Sequence, residues 1–235
     1  MAARQIVLDT ETTGLNARLG DRVIEIGCIE LMSRNVTDWT FHQYLNPERD
    51  IEEGAAKVHG LTAEFLADKP KFADVAAEFV AYVTGAELII HNAAFDVEFL
   101  DMELARAGHR KLADICAGVV DTLAMAREVH PGKKNSLDAL CERYAVNNSH
   151  RTLHGALLDA RLLAEVYLAL TRGQDSLVMD LAPPAEAAVA AAKVDPAKLI
   201  VVRASAEELK AHERALDAID KAAKEKGGAL WRRLG

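Results

Sequence analysis

The sequence has little cysteine, few aromatic residues and no long apolar run. Its three cysteines, Cys28, Cys116 and Cys141, are odd in number and far apart. That excludes a disulfide framework and points to a reducing compartment, the cytoplasm. No uncharged apolar stretch approaches the ~20 residues that span a bilayer. An acid arrives at Asp9, so no signal-peptide core is expected at the start. With 14 glycines and 6 prolines in 235 residues the chain is not collagen-like, and 50% hydrophobic content excludes disorder throughout. An excess of positive charge is missing as well: 28 Lys+Arg stand against 36 Asp+Glu, a net charge of −8. Proteins that bind phosphate backbones usually show the opposite balance, so the bulk charge alone argues against a nucleic-acid partner.

The placement of the charge is more informative than its sum. Residues 1–172 hold 18 basic and 26 acidic side chains, whereas residues 173–235 hold 10 of each. The whole acidic excess therefore belongs to the first part. Composition shifts at the same place. Between Leu181 and Lys198, eight of eighteen residues are Ala and three are Pro, a stretch with little large apolar surface to bury that reads as a linker. After it come a β-like run, Leu199 to Val202, and a helix with Ser205 as N-cap and Glu207 and Glu208 in the first turn. Leu209, Leu216 and Ile219 give that helix a narrow apolar stripe. The expected organisation is a domain over 1–172, a linker over 173–198 and a small C-terminal segment over 199–235.

Within the first part, strands are expected from Gln5 to Leu8, from Val23 to Leu31 and from Trp39 to Leu45, with a turn over Asn16–Asp21. A further short strand covers Glu87 to His91. Helical periodicity predicts helices at Phe72–Val83, Asn92–Ala107, Asp121–Val129, Ser136–Tyr144 and Gly155–Thr171. Early strands followed by alternating helix and strand imply an α/β domain with a mixed sheet flanked by helices.

Several acids sit where acids are unfavourable. Ile6-Val7-Leu8 reads as a strand buried on both faces, and it runs into Asp9-Thr10-Glu11. Residues two apart in a strand share a face, so Asp9 and Glu11 repel each other, and burial adds to the difficulty of ionising both. Taken alone, these three residues read equally well as a strand that has ended in a solvated turn at Gly14. Asp96 borders the apolar stripe of its helix, with Phe99 and Leu100 three and four residues on. Asp159 heads a buried face formed by Leu162, Leu163, Val166 and Leu170. Each, alone, reads first as a structural acid in a helix's first turn. His154 precedes Asp159 by five residues, ~140° around a regular helix, so it reaches the same place only from the loop before Gly155. Together, four carboxylates and one histidine make a hard-oxygen site suited to Mg²⁺ or Mn²⁺ and unlike a zinc site. Paired divalent metals held by carboxylates serve in-line displacement at phosphorus.

Three segments carry a resemblance: Asp9-Thr10-Glu11-Thr12-Thr13-Gly14, His91-Asn92-Ala93-Ala94-Phe95-Asp96 and His154-Gly155-Ala156-Leu157-Leu158-Asp159. The ordered set resembles the DEDD exonucleases of the histidine-containing branch, and the chain as a whole is similar to the proofreading subunits of bacterial DNA polymerase III. The likeness extends through Asn135-Ser136-Leu137-Asp138-Ala139-Leu140-Cys141 to Leu230-Trp231. It implies a ribonuclease H-like mixed sheet of five strands and a 3′→5′ exonuclease that releases nucleoside 5′-monophosphates from mispaired 3′ ends. It implies two divalent cations, Mg²⁺ or Mn²⁺, on Asp9, Glu11, Asp96 and Asp159, with His154 as general base. Thr10, Gly14, Leu15, His59 (in Val58-His59-Gly60-Leu61), Asn92 and Phe95 are similarly placed to meet the terminal nucleotide, although Gly60 alone would also explain an ordinary turn.

The same resemblance implies partners. Gln174-Asp175-Ser176-Leu177-Val178-Met179 looks like a short peptide for the beta sliding clamp, with Gln174, Leu177 and Met179 as anchors. The C-terminal segment, with Leu209, Leu216, Ile219, Leu230 and Trp231, fits docking on the polymerase alpha subunit, and the family also admits a small accessory subunit. The competing readings are a free-standing nuclease of the same branch that trims DNA or RNA ends, a non-catalytic bridge between clamp and polymerase, and a metal-dependent phosphatase or nucleotidase. A non-catalytic bridge would be expected to lack one of the acids, and none is missing.

Overall fold

The computed structural model describes residues 4–149, 151, 153–172 and 204–222. The chain divides into two units, Met1–Met179 and Asp180–Gly235. The linker, the β-like run at 199–202, Gln174, Leu177, Met179, Leu230 and Trp231 all lie outside the described residues.

The first unit is built on one sheet. Strands β1 (Arg4–Thr12), β2 (Val23–Met32), β3 (Asn35–Tyr44), β4 (Glu87–Ile90) and β5 (Gly118–Asp121) lie in the order β3-β2-β1-β4-β5. The β1–β2 and β2–β3 pairs are antiparallel, while β1–β4 and β4–β5 are parallel. The mixed five-stranded sheet matches the expected architecture. Because β1 is central, its side chains alternate between two cores. Ile6 and Leu8 join Ile26, Cys28, Phe79, Leu88 and Phe99 on one face; Val7 joins Ile29, Leu31, Ile89, Leu163 and Val166 on the other. Helices α3 (Phe72–Val83) and α4 (Ala93–Arg106) cover the first face, and α5 (Thr122–Val129), α6 (Leu137–Tyr144) and α7 (Ala156–Leu170) cover the second.

Most of the expected elements are present within a residue or two, but three differences matter. β1 does not end at Asp9: it continues to Thr12 with Glu11 buried, so the solvated-turn reading fails. β3 begins at Asn35, four residues before Trp39. Two short helices, α1 (Glu53–His59) and α2 (Ala63–Leu66), and the four-residue β5 were not anticipated.

In the second unit the described residues form helix α8 (Ala206–Ala222). The Ser205 hydroxyl accepts from Glu208 N–H at 3.2 Å and the Glu208 carboxylate accepts from Ser205 N–H at 2.8 Å, the reciprocal pair that starts a helix. Leu216 is buried, whereas Leu209 and Ile219 are half exposed. Among the described residues no helix is long and apolar enough to cross a membrane.

Candidate active site

Parity along β1 decides where each acid points. Asp9 and Glu11 have the parity of Val7 and face the side covered by α7; Thr10 has the parity of Leu8 and faces α4. On that α4 side, the Thr10 N–H and hydroxyl both donate to Asp96 Oδ1, at 3.1 and 2.7 Å. Asp96 lies in the first turn of α4, which starts where the parallel strand β4 ends. Asp159 lies in the first turn of α7. The entry of α7 is brought onto the sheet by Gly27, which pairs directly with Asp9 across β1–β2. A Cβ at Gly27 would overlap the backbone of Ala156 and Leu157, so only glycine lets the helix start this close to Asp9.

These elements enclose a cleft of about 680 Å³ lined by Asp9, Glu11, Asp96, Asp159 and His154, together with Thr10, Asn92 and Phe95. That volume is in the range of small-molecule sites. Glu11, His154 and Asp159 each present a ligand atom within 4.8 Å of the others. His154 stands on the loop before α7 and not on the helix, as its spacing from Asp159 requires. Its N–H donates to Val58 O at 3.1 Å, which ties this loop to the end of α1.

The electrostatics are those of too many acids in too little water. Burial first, then the charges of Asp96, Glu11 and Asp159, hold the Asp9 carboxyl well above the usual carboxylate range. Burial, followed by Asp159 and Glu25, pushes Glu11 up to about 8. Asp96 is raised by burial to about 7 although the Thr10 hydrogen bonds pull the other way. Among the described residues, Arg151 is the cation whose charge offsets both Asp9 and Glu11. Its Nε and one terminal nitrogen donate to the two oxygens of Asp159, both at 2.6 Å, and its other terminal nitrogen donates to Asp138 at 2.6 Å. It also donates to His154 Nδ1 at 2.9 Å. Oxygen-rich donors that resist ionisation while unpaired fit a hard divalent cation, whose charge would let them ionise together.

A family model for exonucleases, RNase_T, matches residues 6–167. The DNA polymerase III subunit epsilon of Escherichia coli K12 is 51% identical over 241 residues, covering 97% of each chain. That of Rickettsia prowazekii is 47% identical over 221 residues, covering 92% of this chain and 96% of its own. The chain belongs to the exonuclease family of DNA polymerase III epsilon subunits. It is a 3′→5′ exonuclease of the proofreading kind. Among solved structures, exonuclease X in complex with 5′ overhanging duplex DNA is 25% identical, with a TM-score of 0.58, over 73% of this chain and 93% of that one.

Three residues expected at the terminal nucleotide do not line the cleft. A Cβ at Gly14 would overlap the side chains of Asp21 and Glu52, Leu15 is 81% exposed, and His59 is buried with Nδ1 accepting the Leu61 N–H. Others line it without having been assigned a role: His91, Arg127, Lys133, Asn135, Ser136, Asp138 and Arg151. The Lys133–Ser136 run, basic residues leading into an N-cap, and the resemblance over Asn135–Cys141 were signs of this wall; Arg151 gave none.

Proposed function

We propose that the four carboxylates and His154 are the hydrolytic centre, that they work with divalent cations, and that the substrate is a frayed or mispaired 3′ end of DNA. The observation that supports this most is the set of three acids, Asp9, Glu11 and Asp96, raised chiefly by burial and further by neighbouring carboxylates, in a cleft that also holds Asp159 and His154. Asp9, Glu11, Asp96 and Asp159 would hold two cations, Mg²⁺ or Mn²⁺. When bound, such ions activate a water for attack and stabilise the departing 3′ oxygen. His154, on a loop end with its side chain 43% exposed, is the group placed to take the proton from the attacking water.

Thr10, Asn92 and Phe95 line the cleft beside the acids and would receive the terminal nucleotide. Asn92 holds a left-handed backbone conformation (φ 65°) at the start of α4, its N–H donating to Asp121. Phe95 packs on Phe99 at a ring separation of 4.8 Å, which makes it a fixed apolar surface for a base. Fraying a mispaired end takes less energy than fraying a paired one, so selection would come largely from the DNA. The epsilon relatives are named as subunits of DNA polymerase III, and we place this chain in the cytoplasm, tethered to the polymerase alpha subunit through residues 199–235 and to the beta sliding clamp through Gln174, Leu177 and Met179. A small accessory subunit would sit on the first domain. Hydrolysis of mispaired DNA, paired DNA and short RNA, compared side by side, tests the substrate: the mispaired primer should be degraded fastest, and preference for RNA would favour a free-standing nuclease.

A further inference from the structure

Arg151 is an unexpected group to find in a cleft for cations. Its side chain is 6% exposed and its partner Asp159 is 4% exposed. One guanidinium engages both oxygens of Asp159, one oxygen of Asp138 and the Nδ1 of His154. This bidentate grip occupies one lone pair on each Asp159 oxygen and sets a positive charge where a metal would approach that carboxylate. A guanidinium only donates, so His154 Nδ1 is the acceptor and that lone pair is engaged too. Asp138, at the start of α6 and 58% exposed on its side chain, offers the guanidinium a place to stay at the cleft wall after it leaves Asp159.

We propose that Arg151 is a positioning residue that competes with the divalent cation for Asp159, and that its displacement frees Asp159 and His154 together. This rests on the reading of Asp159 as a metal ligand. Apparent affinity scales with the fraction of molecules in which the ligand is free. If Asp159 is held by Arg151 in most metal-free molecules, removing the grip tightens cation binding. Charge repulsion between Arg151 and the cation would act in the same direction, so one variant must keep the charge while losing the bidentate geometry. Lysine does that, since an ammonium cannot bridge both oxygens of Asp159, Asp138 and His154 at once.

The test is Mn²⁺ binding to the full chain without DNA, followed by electron paramagnetic resonance, for wild type, Arg151→Gln, Arg151→Lys and Asp159→Asn. Competition predicts binding about tenfold tighter in Arg151→Gln, with Arg151→Lys between it and wild type. If Arg151→Gln does not fold, Arg151→Lys decides. Binding by Arg151→Lys no tighter than wild type would overturn the proposal, because a mere structural strut or a simple through-space charge predicts that result. Asp159→Asn separates the two levels: if it binds Mn²⁺ as wild type does, the ligand assignment itself is wrong.

Discussion

At the scale of single residues, the site is a set of acids that burial holds protonated against their ordinary tendency to ionise. Glu11 and Asp96 are raised to about 8 and about 7, and Asp9 lies well above the ordinary range. In an unfolded chain all three ionise near pH 4. The folded, metal-free protein therefore binds more protons than the unfolded chain between about pH 4 and 8, and its stability falls as pH rises through that window. A cation that replaces those protons should bind better as pH rises. Melting temperatures measured with EDTA and with Mn²⁺ should differ more at pH 8 than at pH 5.5, and a gain independent of pH would contradict the burial argument. Asp9→Ala should lose both Mn²⁺ binding and hydrolysis. Full Mg²⁺-dependent activity in that variant would remove Asp9 from the site.

At the scale of elements, the site depends on how closely α7 approaches β2. Gly27→Ala would push the start of α7 off the sheet, and the overpacking should destabilise the domain by about 1–3 kcal/mol. Activity should fall further than stability does, because Asp159 and His154 ride on that helix and the loop before it. A urea titration alongside a turnover measurement checks both; a variant with unchanged activity would show that the contact is not what seats Asp159. This contact also marks where the sequence stops being readable. That Asp9, Glu11, Asp96 and Asp159 line one cleft was suggested by acids at the end of a buried strand or the head of an apolar stripe, though each alone read equally well or better without a site, and His154 joined them only through the ordered motifs. Gly27 sits inside an apolar strand run, and its reason is a backbone about 130 residues away. Arg151 lies in a loop with no periodicity, and its partners are set by tertiary placement. β5 and α2, four residues each, are too short to show a period.

At the scale of the whole molecule, the acidic balance and a DNA substrate are compatible. The excess of −8 falls in residues 1–172, where four of the acids face one cleft and would be offset by bound cations. The remaining negative charge would make for a weak intrinsic hold on DNA, and tethering, as proposed, would raise the local concentration of the exonuclease at the primer end. Deleting residues 180–235 should leave the exonuclease folded and active on short primers while polymerase association is lost; loss of folding would show that the second unit is part of the first domain's core. As proposed, His154 and the four acids form one hydrolytic centre acting at 3′ ends. Digestion of a 5′-labelled mispaired primer in Mg²⁺ by wild type and by His154→Ala tests that proposal most directly. Wild type should shorten the primer stepwise from its 3′ end, and His154→Ala should be slower by about 10²–10⁴-fold while still binding Mn²⁺. Near-normal turnover by His154→Ala at neutral pH would contradict it.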